Sequence, residues 1–180
     1  MAATSSAMPR HGVTGQHTER GVPHGVTSIT PYVGVADVVA AARFYNEVFH
    51  ARTVTLTRLG DLVIHAQLDF GNGHLHLEMP DPAGGGLAGP PAGGPDRTAF
   101  AHYCKDVEAV TGRAVAAGAE QLGPVVEFPS GDRFTAVRDP HGVRWSITSR
   151  VADLSETESA RRVAEWAARR ADLAESAGTS

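Results

Sequence analysis

The 180-residue sequence predicts an α+β protein: two βαβββ modules in tandem, followed by a C-terminal helix. Three observations carry that prediction. Similar strand and helix patterns recur in the same order on either side of a Gly/Pro-rich stretch. Each half carries a helix-capping Asp-Val pair, Asp37-Val38 and Asp106-Val107, and the two helices run out at Ala51 and Ala119. Residues 131–158 then read as loop, strand, tight turn, strand and capped helix.

The elements follow in order. Ser28–Val35 reads as the first strand, and Asp37 caps a helix that runs to about His50. Strands are expected near Arg52–Leu59, Leu62–Phe70 and His74–Met79. The second module begins with a strand at Thr98–Cys104. Asp106 caps the next helix, and Gly118 ends it as the left-handed residue. Strands near Glu120–Phe128, Arg133–Arg138 and Val143–Val151 complete the module. The turn Asp139-Pro140-His141-Gly142 joins the last two, with Pro fixing φ and Gly supplying the left-handed position. Val143, Trp145 and Ile147 alternate with Arg144, Ser146 and Thr148, the period of a half-buried strand. Ser155 and Glu158 form a capping box for a helix over about Ser155–Ala174. The resulting division is 1–26, a tail expected to be disordered; 27–80, the first module; 81–96, a linker that acts as a connector or a lid; 97–151, the second module; and 152–180, the C-terminal helix and tail.

Composition limits the function classes. A net charge of −4 argues against nucleic acid as a partner. No apolar run reaches the roughly 20 residues that span a bilayer, so no membrane partner is expected. The N-terminus lacks the apolar core of a secretory signal. A single cysteine, Cys104, excludes an internal disulfide and fits a cytoplasmic location. Cys104 shares a strand face with Phe100 and His102 and reads as a buried thiol, with His102 as a core histidine. The last helix carries Val163, Trp166 and Ala167 on one stripe, against the domain or a second subunit, and a homodimer is the expected assembly.

Chemistry concentrates in the first module. Asn72-Gly73 is a type I′ turn signal, which pairs Asp69 with His76 and Gln67 with Glu78. Ile64, Ala66, Leu68 and Phe70 then face the helix with Leu75 and Leu77. His65, Gln67, Asp69, His74, His76 and Glu78 share the opposite face. That face is solvated, lines a ligand pocket, or binds a metal. A repeat of roughly 6.6–6.8 Å along the strand spreads His74, His76 and Glu78 too far for one ion to hold all three easily. Phosphate loops, paired zinc cysteines and a serine elbow are absent from the sequence.

The paired modules and the 131–158 segment resemble the vicinal oxygen chelate (glyoxalase and bleomycin-resistance) superfamily, and in particular its PhnB-like branch. The resemblance covers about residues 27–170 and implies that the two modules pair into a curved sheet. It implies a site on the sheet side away from the helices, with Tyr32 and Tyr103 facing the cavity. Metal-dependent members place ligands at positions that match Thr30, His76, Ala99 and Ser146 here. Only His76 is a good ligand, so the resemblance implies a dismantled metal site and no cofactor. A non-standard set of His65, His76 and Glu78 stays open. A His at position 65 also resembles the PhnB-like branch, and Asp132-Arg133 matches a family feature whose plain reading is a local ion pair.

Three functions follow as expectations. The first is a metal-independent site for a small organic ligand, as in an enzyme of specialised metabolism. His65 or His76 is its acid or base, and Asp69 or Glu78 the orienter. Thr30, Tyr32, Gln67, Tyr103, Arg144 and Ser146 are its ligand-binding candidates. The alternative is a non-catalytic protein that sequesters a drug or metabolite. The second alternative is a metal-dependent lyase, isomerase or dioxygenase.

Overall fold

Both capping aspartates act as the sequence predicts. Asp37 Oδ1 accepts the Ala40 amide and Asp106 Oδ1 the Ala109 amide, each at 2.9 Å. A cap of this kind contributes about 1 kcal/mol by satisfying an amide the helix leaves unpaired. They start α1 (Val38–Phe49) and α2 (Val107–Ala116). The computed structural model describes residues 15–80, 87–89, 96 and 98–177.

A short antiparallel hairpin, β1 (Thr18–Glu19) with β2 (Val22–Pro23), precedes the first module. It lies in the stretch expected to be disordered. Arg20 and Gly21 both take positive φ, 50° and 81°, which is the backbone a two-residue primed turn requires. Residues 1–14 of the expected tail lie outside the described residues.

The first sheet contains β3 (Tyr32–Gly34), β4 (Arg52–Leu59), β5 (Leu62–Asp69) and β6 (His74–Glu78), in the order β3-β6-β5-β4. The second contains β7 (Ala99–Tyr103), β8 (Glu120–Gln121), β9 (Val126–Phe128), β10 (Asp132–Arg138) and β11 (Arg144–Arg150). Its order is β7-β11-β10-β8, with β9 also on β10. In each module the first strand lies parallel to the last, and a hairpin extends the sheet beyond it. The expected strand Glu120–Phe128 splits into β8 and β9 around Gly123-Pro124. Pro cannot donate to a ladder, and the Gly123 carbonyl accepts from Thr135 Oγ1 at 2.7 Å rather than from a strand backbone amide.

α1 buries Val38, Ala41, Tyr45 and Val48 in a core shared with Ala66, Leu68, Leu75 and Leu77 of the first sheet. α2 buries Val107, Val110 and Ala114, in the same core as Val137 and Ile147 of the second. One aromatic cluster joins the modules. The Trp145 ring lies 4.6 Å from Phe49 and 5.2 Å from Tyr45. Asp139 Oδ2 accepts both Tyr45 Oη at 2.7 Å and Trp145 Nε1 at 3.0 Å. Its Oδ1 accepts the His141 and Val143 amides, so this buried carboxylate is fully satisfied. Burial and the neighbouring Asp139 charge push the Tyr45 phenol well above its ordinary range.

Most of the expected linker lies outside the described residues. Its Leu87–Gly89 portion passes against β3, where a Cβ at Gly34 would sit 2.6 Å from the Ala88 carbonyl oxygen. Asp96 anchors the end of the linker to Arg138 at 3.0 Å and Arg144 at 3.1 Å.

The C-terminal helix α3 spans Glu156–Ala177. Ser155 Oγ accepts the Glu158 amide at 3.2 Å, one half of the expected capping box. The Glu158 carboxylate turns to Arg161 and Arg162 instead, which hold it down at about 2. Trp166 of the apolar stripe packs edge-on against Phe128 of the second module at 5.0 Å. No helix among the described residues is long and apolar enough to cross a membrane.

The Asp132-Arg133 pair does not form as expected. Neighbours on a strand point to opposite faces. Asp132 therefore binds Arg150, its cross-strand partner, at 2.7 Å, while Arg133 pairs with Glu108 of α2.

Candidate functional site

The β5–β6 hairpin sets the site, and its register corrects the sequence reading. Gln67 pairs with His76, His65 with Glu78, and Asp69 with His74. The expected register lies two residues away. The turn residues explain the difference. Gly71 takes φ +96°, whereas Asn72 and Gly73 do not take positive φ. The tight loop is therefore Gly71-Asn72, a Gly-first turn closed by the Phe70 amide on the Gly73 carbonyl at 2.8 Å. Asp69 Oδ1 accepts the Gly71 amide at 2.7 Å and fixes the entry to the turn.

A slip of two residues preserves the faces. His65, Gln67, His76 and Glu78 still share the face away from α1, all half-buried. The partners change. Asp69 lies across from His74 rather than His76, and it bonds Arg52 at 2.7 Å. The Gly71 amide and the Arg52 guanidinium hold the Asp69 carboxyl below its ordinary range. Glu78 now stands directly across from His65.

The histidines meet diagonally. His65 Nε2 and His76 Nδ1 are 3.0 Å apart, so one imidazole donates and the other accepts. Tyr32, opposite His76 on β3, places its ring 4.5 Å from the His76 ring and 6.1 Å from His65. His76 Nε2 is buried and has no hydrogen-bond partner. Burial, then the neighbouring His65 and His74, lowers the pKa of His76 below 6.5. A neutral His76 with one free ring nitrogen can accept or deliver a proton at that atom.

The other expected residues lie apart from this pair. Thr30 Oγ1 donates to the Thr27 carbonyl at 3.0 Å. On the second sheet, Ser146 and Thr148 hydroxyls lie 3.2 Å apart and Arg144 is held by Asp96. The four positions that would hold a metal in similar proteins offer one imidazole, two hydroxyls engaged nearby and the methyl group of Ala99. That donor set does not fit a divalent ion. Among the described residues, no three His, Cys, Asp or Glu side chains are grouped to hold one ion.

A cavity of about 380 Å³ opens where the modules meet. Thr27, Ile29 and Pro31 line it before β3, Phe70 and Asn72–Leu75 at the hairpin tip, and Phe100–Tyr103 on β7 with Trp145 beneath. Of the expected site residues, only Tyr103 lines it. The sequence reading missed it because its walls come from segments far apart in the chain. The local signal was the run of rings on β7, Phe100, His102 and Tyr103. His102, half-buried and 4.7 Å from the Phe49 ring, fits the expected core histidine but also lines this cavity.

Comparison with known proteins agrees with the fold. The profile of the Glyoxalase/Bleomycin resistance protein/Dioxygenase superfamily matches residues 21–147. An uncharacterized protein of Mycobacterium bovis is 31% identical over 137 residues, covering 73% of this chain and 88% of the relative. The crystal structure of TioX from Micromonospora sp. ML1 superposes with a TM-score of 0.54 at 24% identity, covering 72% of this chain and all of that one. A glyoxalase-related enzyme from Fulvimarina pelagi gives 0.54 at 24% identity, covering 69% and 88%. With the profile spanning most of both modules, this chain belongs to the glyoxalase/bleomycin resistance/dioxygenase superfamily.

Proposed function

We propose that this protein, as a member of the PhnB-like branch, holds a small organic molecule against the polar face of its first sheet without a metal. The observation that carries the reading is the His65–His76 hydrogen bond of 3.0 Å, together with the buried, unpartnered Nε2 of His76. Burying a polar atom without a partner is costly, and a ligand group at Nε2 removes that cost.

The pair can act as an acid or as a base. When His76 Nδ1 accepts from His65, His76 Nε2 carries the proton and donates it. When Nδ1 donates instead, Nε2 is a free base. The lowered pKa keeps His76 uncharged near neutral pH, as a base requires. Glu78, across from His65, is the orienter in this reading, and Tyr32 supplies the aromatic wall. Gln67, across from His76, orients the ligand in this reading. Arg144 and Ser146 lie on the second sheet and reach the same molecule where a partner subunit closes the site, in a cytoplasmic homodimer. The site serves an enzyme of specialised metabolism; the sequestering alternative uses the same contacts without turnover.

Native mass spectrometry with metal analysis, followed by a ligand-shift screen on wild type and His76→Ala, tests the proposal. The expected result is metal-free protein and ligands whose binding weakens at least tenfold in the variant. Product formation by wild type alone assigns catalysis, and binding without product assigns sequestration. Near-equimolar zinc, iron, nickel or manganese that survives dialysis and is lost in His76→Ala would overturn it.

A further inference from the structure

The cavity at the module junction lies outside the histidine-pair site: none of His65, His76 and Glu78 lines it. Its floor is Leu75 and Trp145, each 3% exposed. The rings of Phe70, Phe100 and Tyr103 contribute to its walls, while Ile29 and Tyr103 are largely exposed at its rim. Two imidazoles, His74 and His102, also line it, and His74 Nδ1 is buried without a hydrogen-bond partner. No Arg, Lys, Asp or Glu is among the lining residues.

We propose that this junction cavity is a second binding site, for an uncharged planar aromatic molecule of one or two rings that carries a hydroxyl group. A volume of about 380 Å³ suits such a molecule. Ring-rich walls favour offset and edge-on stacking of a further ring. A carboxylate or ammonium would lose its hydration and meet no fixed counter-charge, so a neutral ligand is selected. A hydroxyl both donates and accepts, and therefore satisfies His74 Nδ1 in either tautomer.

Isothermal titration of the full chain with 2-naphthol, naphthalene and 2-naphthoate tests the site. The expected result is saturable 2-naphthol binding, with naphthalene and 2-naphthoate each at least about tenfold weaker. Ala101→Phe, at an exposed strand position on the cavity wall, is expected to weaken 2-naphthol at least tenfold. His74→Ala is expected to bring 2-naphthol down to the affinity of naphthalene. His76→Ala is expected to leave 2-naphthol within twofold, which separates this site from the histidine pair. If near-UV circular dichroism shows Ala101→Phe unfolded, Tyr103→Ala removes a wall and carries the same expectation. No saturable binding up to about 1 mM would overturn the proposal. So would 2-naphthoate binding as tightly as 2-naphthol, or loss on His76→Ala with Ala101→Phe unaffected. Each failure leaves the histidine-pair reading to its own test, because neither Ala101 nor His74 belongs to that pair.

Discussion

The buried Asp139 carboxylate and the buried Nε2 of the half-buried His76 serve opposite ends on one scaffold. Asp139 is 4% exposed and accepts four hydrogen bonds, two from side chains and two from backbone. Its chemistry is exhausted in holding the modules together. Asp139→Ala strands the Tyr45 hydroxyl and the Trp145 indole in the core, and should cost about 3–5 kcal/mol in urea unfolding. Tyr45→Phe removes one donor and leaves the carboxylate its other three, so about 1–2 kcal/mol is expected. Equal costs for the two variants would contradict the hub role of Asp139. His76 is the reverse case, with one nitrogen engaged and one unspent. The sequence identified His65, His76 and Glu78 as candidates because strand alternation assigns faces. It did not reveal which nitrogen is free, since that depends on the diagonal contact.

At the scale of elements, the hairpin separates what was legible from what was not. Face assignment depends on parity alone, so a two-residue error in register left every side chain on its expected face. Register depends on the turn, and two overlapping signals competed. Asn72-Gly73 matches the type I′ preference, but Gly71-Asn72 is the turn used, with Asp69 capping the Gly71 amide. Gly71→Ala should therefore cost about 1–2 kcal/mol, since an L side chain is strained at φ +96°. Gly73→Ala, with no positive φ and nothing within 4 Å of the added Cβ, should be near neutral. Guanidinium unfolding of both variants checks this, and the reverse order would restore the Asn72-Gly73 turn. The helices were legible to within a few residues because their Asp caps are local signals. Strand β8–β9 was misjudged because Gly123-Pro124 interrupts it within an otherwise strand-like run.

The whole molecule is two similar units joined by one aromatic seam, with the proposed histidine-pair site on the first sheet. The repeat was visible in the sequence. The seam and the junction cavity were not, because they bring together residues more than 90 positions apart, such as Tyr45 and Asp139. Stability should follow two half-buried imidazoles. His76 and His102 both have lowered pKa values, with burial the main cause, so the unfolded chain binds more protons than the folded one just below pH 6.5. Their contribution is present above pH 6.5 and is lost as pH falls from there through the folded-state values that lie below it. Denaturation midpoints should therefore drop between pH 7.5 and 5.5, and less so in His102→Leu; a rise on acidification would contradict this.

The most direct test of the central claim, a metal-free histidine pair poised to meet an organic ligand, is long-range ¹⁵N NMR of the His65 and His76 imidazoles across pH 4–8. His76 should titrate with a midpoint below 6.5, and above that midpoint its neutral ring should show one protonated and one free nitrogen. A His76 midpoint at or above 6.5, or ring nitrogens that carry a metal-bound signature and do not titrate, would contradict it.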